Sequence, residues 1–168
     1  MPYSYPHFKY EVKIHLEGTI GPTDRVLDVG PGSGTYARMC QTITMDAVEI
    51  HVPYIRQFNL GVYYRKVHMG DIRTFDVQFY DYLILGDVLE HLTFLEAREL
   101  LDRIADKRFL VAVPYLLPQG EYDGNRYEIH HQDDLTPEVM AERYPELRLL
   151  IGNAEYGYYV NYDPDEVI

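Results

Sequence analysis

One nine-residue run sets what this chain can fold into. Val26-Leu27-Asp28-Val29-Gly30-Pro31-Gly32-Ser33-Gly34 passes from a short apolar segment into three glycines spaced two positions apart. The apolar part reads as a buried strand, and residues 35–42 read as a helix. A glycine-rich turn between strand and helix lets the backbone fold tightly and lets a ligand approach it closely. Such turns belong to α/β folds, where strands and helices alternate along the chain.

The rest of the sequence keeps that alternation. Residues 44–50 read as a second strand and 53–60 as a short helix, with Pro53 suited to its first turn. Residues 62–69 alternate like a strand. Tyr82-Leu83-Ile84-Leu85 and Phe109-Leu110-Val111-Ala112-Val113 are unbroken apolar runs, as expected of central parallel strands covered on both faces. Between them, residues 94–106 place Phe94, Leu95, Ala97, Leu100, Leu101 and Ile104 near one helical face. Residues 115–131 form a polar, Gly- and Pro-containing connection, of the length that tends to carry binding loops. Thr136-Pro137-Glu138 opens a helix with an N-cap threonine and a first-turn proline. Residues 147–151 and 156–161 read as a terminal strand pair, and residues 8–16 as a helix packed on the domain.

The length of 168 residues suits one domain. We divide it into an N-terminal segment (1–24), a ligand-binding core (25–114) and a substrate-side loop, helix and strand pair (115–168). The net charge of −12 disfavours nucleic acid, whose binders need cationic patches. No stretch is long and apolar enough for a membrane span, and the N-terminus lacks the apolar run of a secretory signal. With a single cysteine, Cys40, no internal disulfide forms. A cytoplasmic protein is expected. Cys40 reads as core.

The acid-x-G-x-G-x-G spacing of Asp28, Gly30, Gly32 and Gly34 resembles the first signature of class I S-adenosylmethionine-dependent methyltransferases. The dinucleotide fingerprint G-x-G-x-x-G fits less well, because Thr35 stands where its last glycine belongs. The resemblance implies a doubly wound, mostly parallel seven-stranded sheet of the Rossmann-like methyltransferase type, with strand order 3-2-1-4-5-7-6. It also implies that Gly30, Gly32 and Gly34 line the methionine part of the cofactor and that Asp28 contacts its amino group. Three later acids follow in the family's order. Glu49 falls where the family grips the ribose hydroxyls, Asp71 where it takes the adenine amino group, and Asp87 after the fourth strand. Ile50 and Ile72, beside two of these acids, join the cofactor-binding set.

Two elements offer reaction chemistry. Asp87-Val88-Leu89-Glu90-His91 resembles the E-x-x-E-H element of methyltransferases that bind a divalent metal beside acceptor hydroxyls, with aspartate in place of the first glutamate. In the same families a histidine precedes a threonine-initiated helix, and His131, five residues before Thr136, matches it. The resemblance therefore implies His131, His91 and Glu90 as catalytic residues. A neutral imidazole serves as a base near pH 7 or as a metal ligand. A metal set of Asp87, Glu90, His91 and His131 is compatible by ligand type, but a metal-free site is the favoured reading.

The expected activity is methyl transfer to a small-molecule or saccharide-like acceptor, at a hydroxyl, with Asn125, Arg126 and Gln132 able to read hydroxyl groups. Two other classes remain open: a catalytically silent binding module on the same fold, and a nicotinamide-dependent oxidoreductase. Tyr36 can lie over the cofactor. The cluster Tyr156, Tyr158, Tyr159 and Tyr162 reads either as a homodimer surface or as half-buried rings covering the sheet.

Overall fold

The structure, a computed structural model, describes residues 5–164. Helix α1 (Lys9–Thr19) leads into strand β1 (Val26–Val29), and then the chain alternates: α2 (Thr35–Met39), β2 (Met45–Glu49), α3 (Val52–Gln57), β3 (Lys66–Met69), β4 (Tyr82–Gly86), α4 (Phe94–Arg103) and β5 (Arg108–Pro114). Helix α5 (Pro137–Arg143) and the strands β6 (Arg148–Gly152) and β7 (Tyr156–Val160) complete it. The sheet has seven strands in the order β3-β2-β1-β4-β5-β7-β6, parallel except for β7, which runs antiparallel to both its neighbours. This is the order that the resemblance implies.

Successive strand residues point to opposite faces, and both faces are covered. On one, Leu27, Val29, Leu83, Leu85, Val111 and Val113 pack with Ala97, Leu100 and Leu101 of α4 and Met140 of α5. On the other, Val26, Tyr82, Ile84, Leu110 and Ala112 pack with Val12 and Leu16 of α1 and Ala37 of α2. That double coverage explains why β1, β2 and β4 are buried along their whole length. The edge strand β3 is only partly buried and carries Lys66, a charge that discourages pairing with another chain.

Local chemistry fixes the ends of the helices. Thr93 and Glu96 form a reciprocal capping box at the start of α4. Thr136 caps α5 by accepting from the Val139 N–H at 3.2 Å. Helix α3 stops earlier than the sequence suggests, because Asn59 turns left-handed at φ 51°. Leu60 to Val62 then forms a 3-10 turn rather than the start of a strand, and β3 is confined to Lys66–Met69. The turn buries Leu60 completely, and that packing outweighs the alternation of residues 62–69. The expected helices at 35–42 and 94–106 also end early, at Met39 and Arg103. Helix α1 runs further than expected, to Thr19.

The tyrosines of β7 do not form an exposed patch. Tyr156 and Tyr158 are fully buried and Tyr159 nearly so. Their rings belong to the sheet, which removes them as a homodimer surface. Cys40 is buried in the core, as expected. Among the described residues no helix is long and apolar enough to cross a membrane.

Candidate functional site

The order of strands reverses between β1 and β4, and open sheets bind ligands at the carboxyl ends of strands beside such a reversal. A cleft of about 440 Å³ opens there, within the range of pockets that hold small ligands. Register places the acids around it. Asp28 pairs with Ala47 of β2 and Ile84 of β4, near the top of β1. Glu49 ends β2, Asp71 follows β3 and Asp87 follows β4. All four line the cleft, together with Gly30, Gly32, Ile50 and Ile72.

Asp28 is buried and accepts a hydrogen bond from the Tyr64 hydroxyl at 2.5 Å. Burial pushes its carboxyl up to about 7, against the Tyr64 bond, with Glu49 adding to the rise and the Lys9 ammonium opposing it. Glu49 is likewise buried and raised to about 7 by desolvation, although the His51 N–H donates to it at 2.7 Å. Two such carboxylates form a site that favours a cationic or hydroxyl-rich ligand, which would compensate their desolvation. Asp71 is different. Burial acts to raise its carboxyl, but the Arg73 guanidinium and backbone N–H hold it below the ordinary range. Arg73 also reaches Glu96 at 2.6 Å, which fixes the clamp on α4. Asp87 has left-handed backbone at φ 56° and accepts from the Tyr156 hydroxyl at 2.7 Å. Positive φ in a non-glycine residue is sparse and concentrates at functional sites.

Gly34 stands apart from this set. It forms the left-handed N-cap of α2 at φ 80°, and a Cβ there would meet Leu60 at 3.4 Å and Tyr64 at 3.6 Å. The third glycine of the motif therefore serves helix packing and does not line the cleft. Tyr36 does line it, lying against Gly86 where any Cβ would be 2.2 Å from the ring.

The connection after β5 folds over the open side. Asn125, Arg126, Tyr127, Glu128, Ile129 and His131 supply one wall of the cleft. The Tyr54 hydroxyl holds this wall to α3 by donating to Glu128 at 2.9 Å. The His131 N–H holds it to the loop after β4 by donating to the Glu90 carbonyl at 2.7 Å. Gln132 does not face the cleft. Its amide donates to the Leu89 and Leu92 carbonyls and accepts from Tyr144, so it ties elements together and reads no ligand.

Of the three catalytic candidates, His91 lines the cleft, His131 lines it as an exposed side chain, and Glu90 lies behind the wall, buried. The structure groups Glu90 and His91 with His130: one ligand atom from each lies within 4.8 Å of the others. Asp87 and His131 stand outside that group, so the four residues compatible by ligand type do not come together as one set. Both imidazoles turn Nδ1 to a backbone carbonyl, His91 to Ile129 at 3.3 Å and His130 to Leu117 at 2.6 Å. A carbonyl only accepts, so each Nδ1 carries the proton and each Nε2 keeps its lone pair. One Glu90 carboxylate oxygen is buried without a hydrogen-bond partner. Burial holds His91 down at about 4 and Glu90 well above the usual carboxylate range.

No protein-family model and no curated protein matches the chain. Solved structures do. Human N-acetylserotonin methyltransferase, solved with S-adenosylmethionine, superposes with a TM-score of 0.65 at 17% identity, over 92% of this chain and 51% of that one. An S-adenosylmethionine-dependent methyltransferase from Clostridium acetobutylicum gives a TM-score of 0.65 at 12% identity, over 93% and 91%. The chain has the class I methyltransferase fold. Mitomycin 7-O-methyltransferase shares it at a TM-score of 0.58 and 13% identity, over 91% of this chain and 53% of that one. The chain thus spans about half the length of the human and mitomycin enzymes, which extend beyond this fold.

Sequence reasoning missed Arg73, which lines the cleft, and Tyr64, which holds the Asp28 carboxylate. Arg73 stands two residues from Asp71, a spacing that could have marked the pair, whereas Tyr64 is distant from Asp28 in the chain and no linear spacing marks it.

Proposed function

We propose that this chain binds S-adenosylmethionine in the cleft and transfers its methyl group to a hydroxyl of a small-molecule or saccharide-like acceptor. The observation that carries the reading is the convergence of Asp28, Glu49, Asp71 and Asp87, each from a different strand end, on one cleft floored by Gly30 and Gly32. The donor set fits the cofactor: burial raises two carboxylates that a cationic or hydroxyl-bearing ligand would satisfy, and the glycine turn gives close backbone approach. Bound cofactor supplies an electrophilic methyl on a sulfonium.

The chain's own residues do the rest. Asp28 faces the amino-acid end and takes its ammonium. Glu49 accepts from the ribose hydroxyls, and charge-assisted O–H···O⁻ bonds are among the stronger ones. Asp71, oriented by Arg73, takes the adenine amino group with the lone pairs that Arg73 leaves. The wall of residues 125–131 limits water and orients the acceptor, an entropy contribution that can dominate a displacement reaction. His131, exposed at the mouth, receives the hydroxyl proton. His91 is the weaker base, because burial keeps it neutral down to about 4.

The grouping of Glu90, His91 and His130 favours a second version, in which these three residues would hold a divalent ion that would make the acceptor hydroxyl more acidic. Manganese titration followed by water-proton relaxation distinguishes the two versions. Binding that is lost in His130→Ala supports the ion, and no binding up to millimolar manganese leaves the metal-free version. The function itself is tested by release of S-adenosylhomocysteine across a panel of hydroxylated acceptors. Acceptor-dependent release supports it. Cofactor binding with no release on any acceptor points to a silent binding module.

A further inference from the structure

Arg73 grips Asp71 from the loop after β3, and both residues line the cleft. The Arg73 backbone N–H donates to Asp71 Oδ1 at 2.9 Å. Its Nε–H is shared between Oδ1 at 3.0 Å and Oδ2 at 2.9 Å, and its Nη2 donates to Oδ2 at 2.6 Å. An aspartate–arginine pair on an open loop contributes little by itself, since two side chains must be ordered to hold it. Here the guanidinium is held from the other side as well, with Nη1 donating to Oε1 of Glu96 at 2.6 Å. Glu96 is itself fixed. Its Oε2 accepts from the Thr93 N–H at 2.9 Å and from the Thr93 hydroxyl at 2.8 Å, within the capping box of α4. The contacts from Asp71 through Arg73 and Glu96 to Thr93 thus anchor a loop carboxylate to the start of a helix that packs on the sheet.

This arrangement decides what Asp71 can recognise. Burial raises Asp28 and Glu49 to about 7, so a ligand can meet either of them with or without a proton. Asp71 lies below the ordinary carboxylate range, because the Arg73 bonds overcome the burial that acts to raise it. It is ionised at neutral pH, and an ionised carboxylate only accepts hydrogen bonds. The backbone N–H, Nε–H and Nη2–H of Arg73 already occupy a group with about four acceptor positions. A further donor can be taken up, and an acceptor cannot. A purine with an amino group at position 6 supplies that donor. A purine with an oxo group there brings an oxygen against a fixed negative charge.

We propose that Arg73, braced by Glu96, is a specificity-determining residue: it fixes Asp71 as a pure acceptor, so that the cleft takes a 6-aminopurine nucleoside and rejects its 6-oxo counterpart. This rests on the cofactor reading above. It assigns functions to two residues that belong neither to the glycine turn nor to the four acids. Both act through Asp71, which makes them positioning residues for the base.

The test is calorimetry on the full chain with two ligands that differ at this one position, S-adenosylhomocysteine and S-inosylhomocysteine. Wild type should favour the amino compound by at least about thirty-fold, the scale of a hydrogen bond to a charged group. Arg73→Gln should bring that ratio to about five-fold or less. The released carboxyl can then rotate, or take up a proton and donate to the oxo group. S-adenosylhomocysteine should therefore weaken while S-inosylhomocysteine binds no more weakly than to wild type. Glu96→Gln should lower the ratio by about three-fold or more with the melting temperature kept, because glutamine still completes the capping box while the charge facing Arg73 is gone. Asp71→Asn, whose amide offers either a donor or an acceptor, should abolish the preference. A ratio that stays at the wild-type value in Arg73→Gln and Glu96→Gln overturns the proposal, whether the affinities hold or both fall together, as loss of a merely structural ion pair would make them. If Arg73→Gln does not fold, Glu96→Gln and Asp71→Asn carry the same readouts. Wild type that binds both compounds equally overturns the selector and leaves the cofactor reading in place. Wild type that binds neither removes the cofactor reading as a whole.

Discussion

Asp28→Asn should stabilise the unliganded protein while weakening its cofactor binding. Asp28 sits buried on β1, and burial raises its carboxyl from 3.8 to about 7. In the unfolded chain it titrates near 3.9. Between these values the folded state holds more protons than the unfolded one, so stability from this group is present at low pH and lost as pH rises toward 7. That sign is opposite to that of a salt-bridged aspartate. A gap of roughly three pH units corresponds to a ceiling of about 4 kcal/mol at pH 8. Local relaxation and water entry around the ionised carboxylate reduce it, and about 1–3 kcal/mol is expected. Asparagine has nearly the same shape, keeps an acceptor for Tyr64 and never ionises. For a chain of this size the gain is about 3–10 °C in melting temperature at pH 8 and less than about half of that at pH 5. Thermal scans of both proteins at the two pH values, without ligand, measure it. The same substitution removes the charge facing the cofactor's ammonium, so calorimetry should show S-adenosylhomocysteine bound at least about ten-fold more weakly. Equal melting shifts at pH 5 and pH 8, or a lower melting temperature for the variant at pH 8, would refute the reasoning.

Three further outcomes are expected. Asp28→Ala and Glu49→Ala should each lower cofactor affinity more than His131→Ala does, and calorimetry giving equal affinities for all three would contradict the residue assignments. His131→Ala should reduce turnover with the cofactor affinity kept, seen as a fall in kcat without a matching change in the cofactor Kd; turnover at the wild-type rate would exclude it as the base. Gly86→Ala drives a methyl group into the Tyr36 ring, 2.2 Å away, and should cost about 1–3 kcal/mol as overpacking; a melting temperature equal to wild type would show that Tyr36 is not fixed there.

Much of the site was legible in the linear sequence because strand ends are. A short apolar run followed by an acid or a glycine marks where a parallel strand ends; Glu49 ends β2, Asp71 and Asp87 fall just past β3 and β4, and Asp28 stands one residue short of the end of β1. The glycine turn was legible for the same reason. What failed depends on direction in space. Gly34 has the spacing of its neighbours, yet the chain has already turned into α2 by that residue and faces Leu60. His131 has the spacing of a ligand, but His130 turns inward to Glu90 and His91, because its ring is held by the Leu117 carbonyl across the loop. Gln132 is polar and sits in a loop, which suggests ligand contact, while its amide in fact joins the turn after β4 to Tyr144. Tyr64 gave no signal at all: it is distant from Asp28 in the chain, and only the fold brings its hydroxyl to that carboxylate.

Calorimetric titration of the folded chain with S-adenosylmethionine and S-adenosylhomocysteine decides whether the cleft is an S-adenosylmethionine site. Saturable one-to-one binding of both is expected, with a melting temperature that rises with ligand concentration, as it must for a ligand that binds only the folded state. A folded protein that binds neither ligand would contradict it.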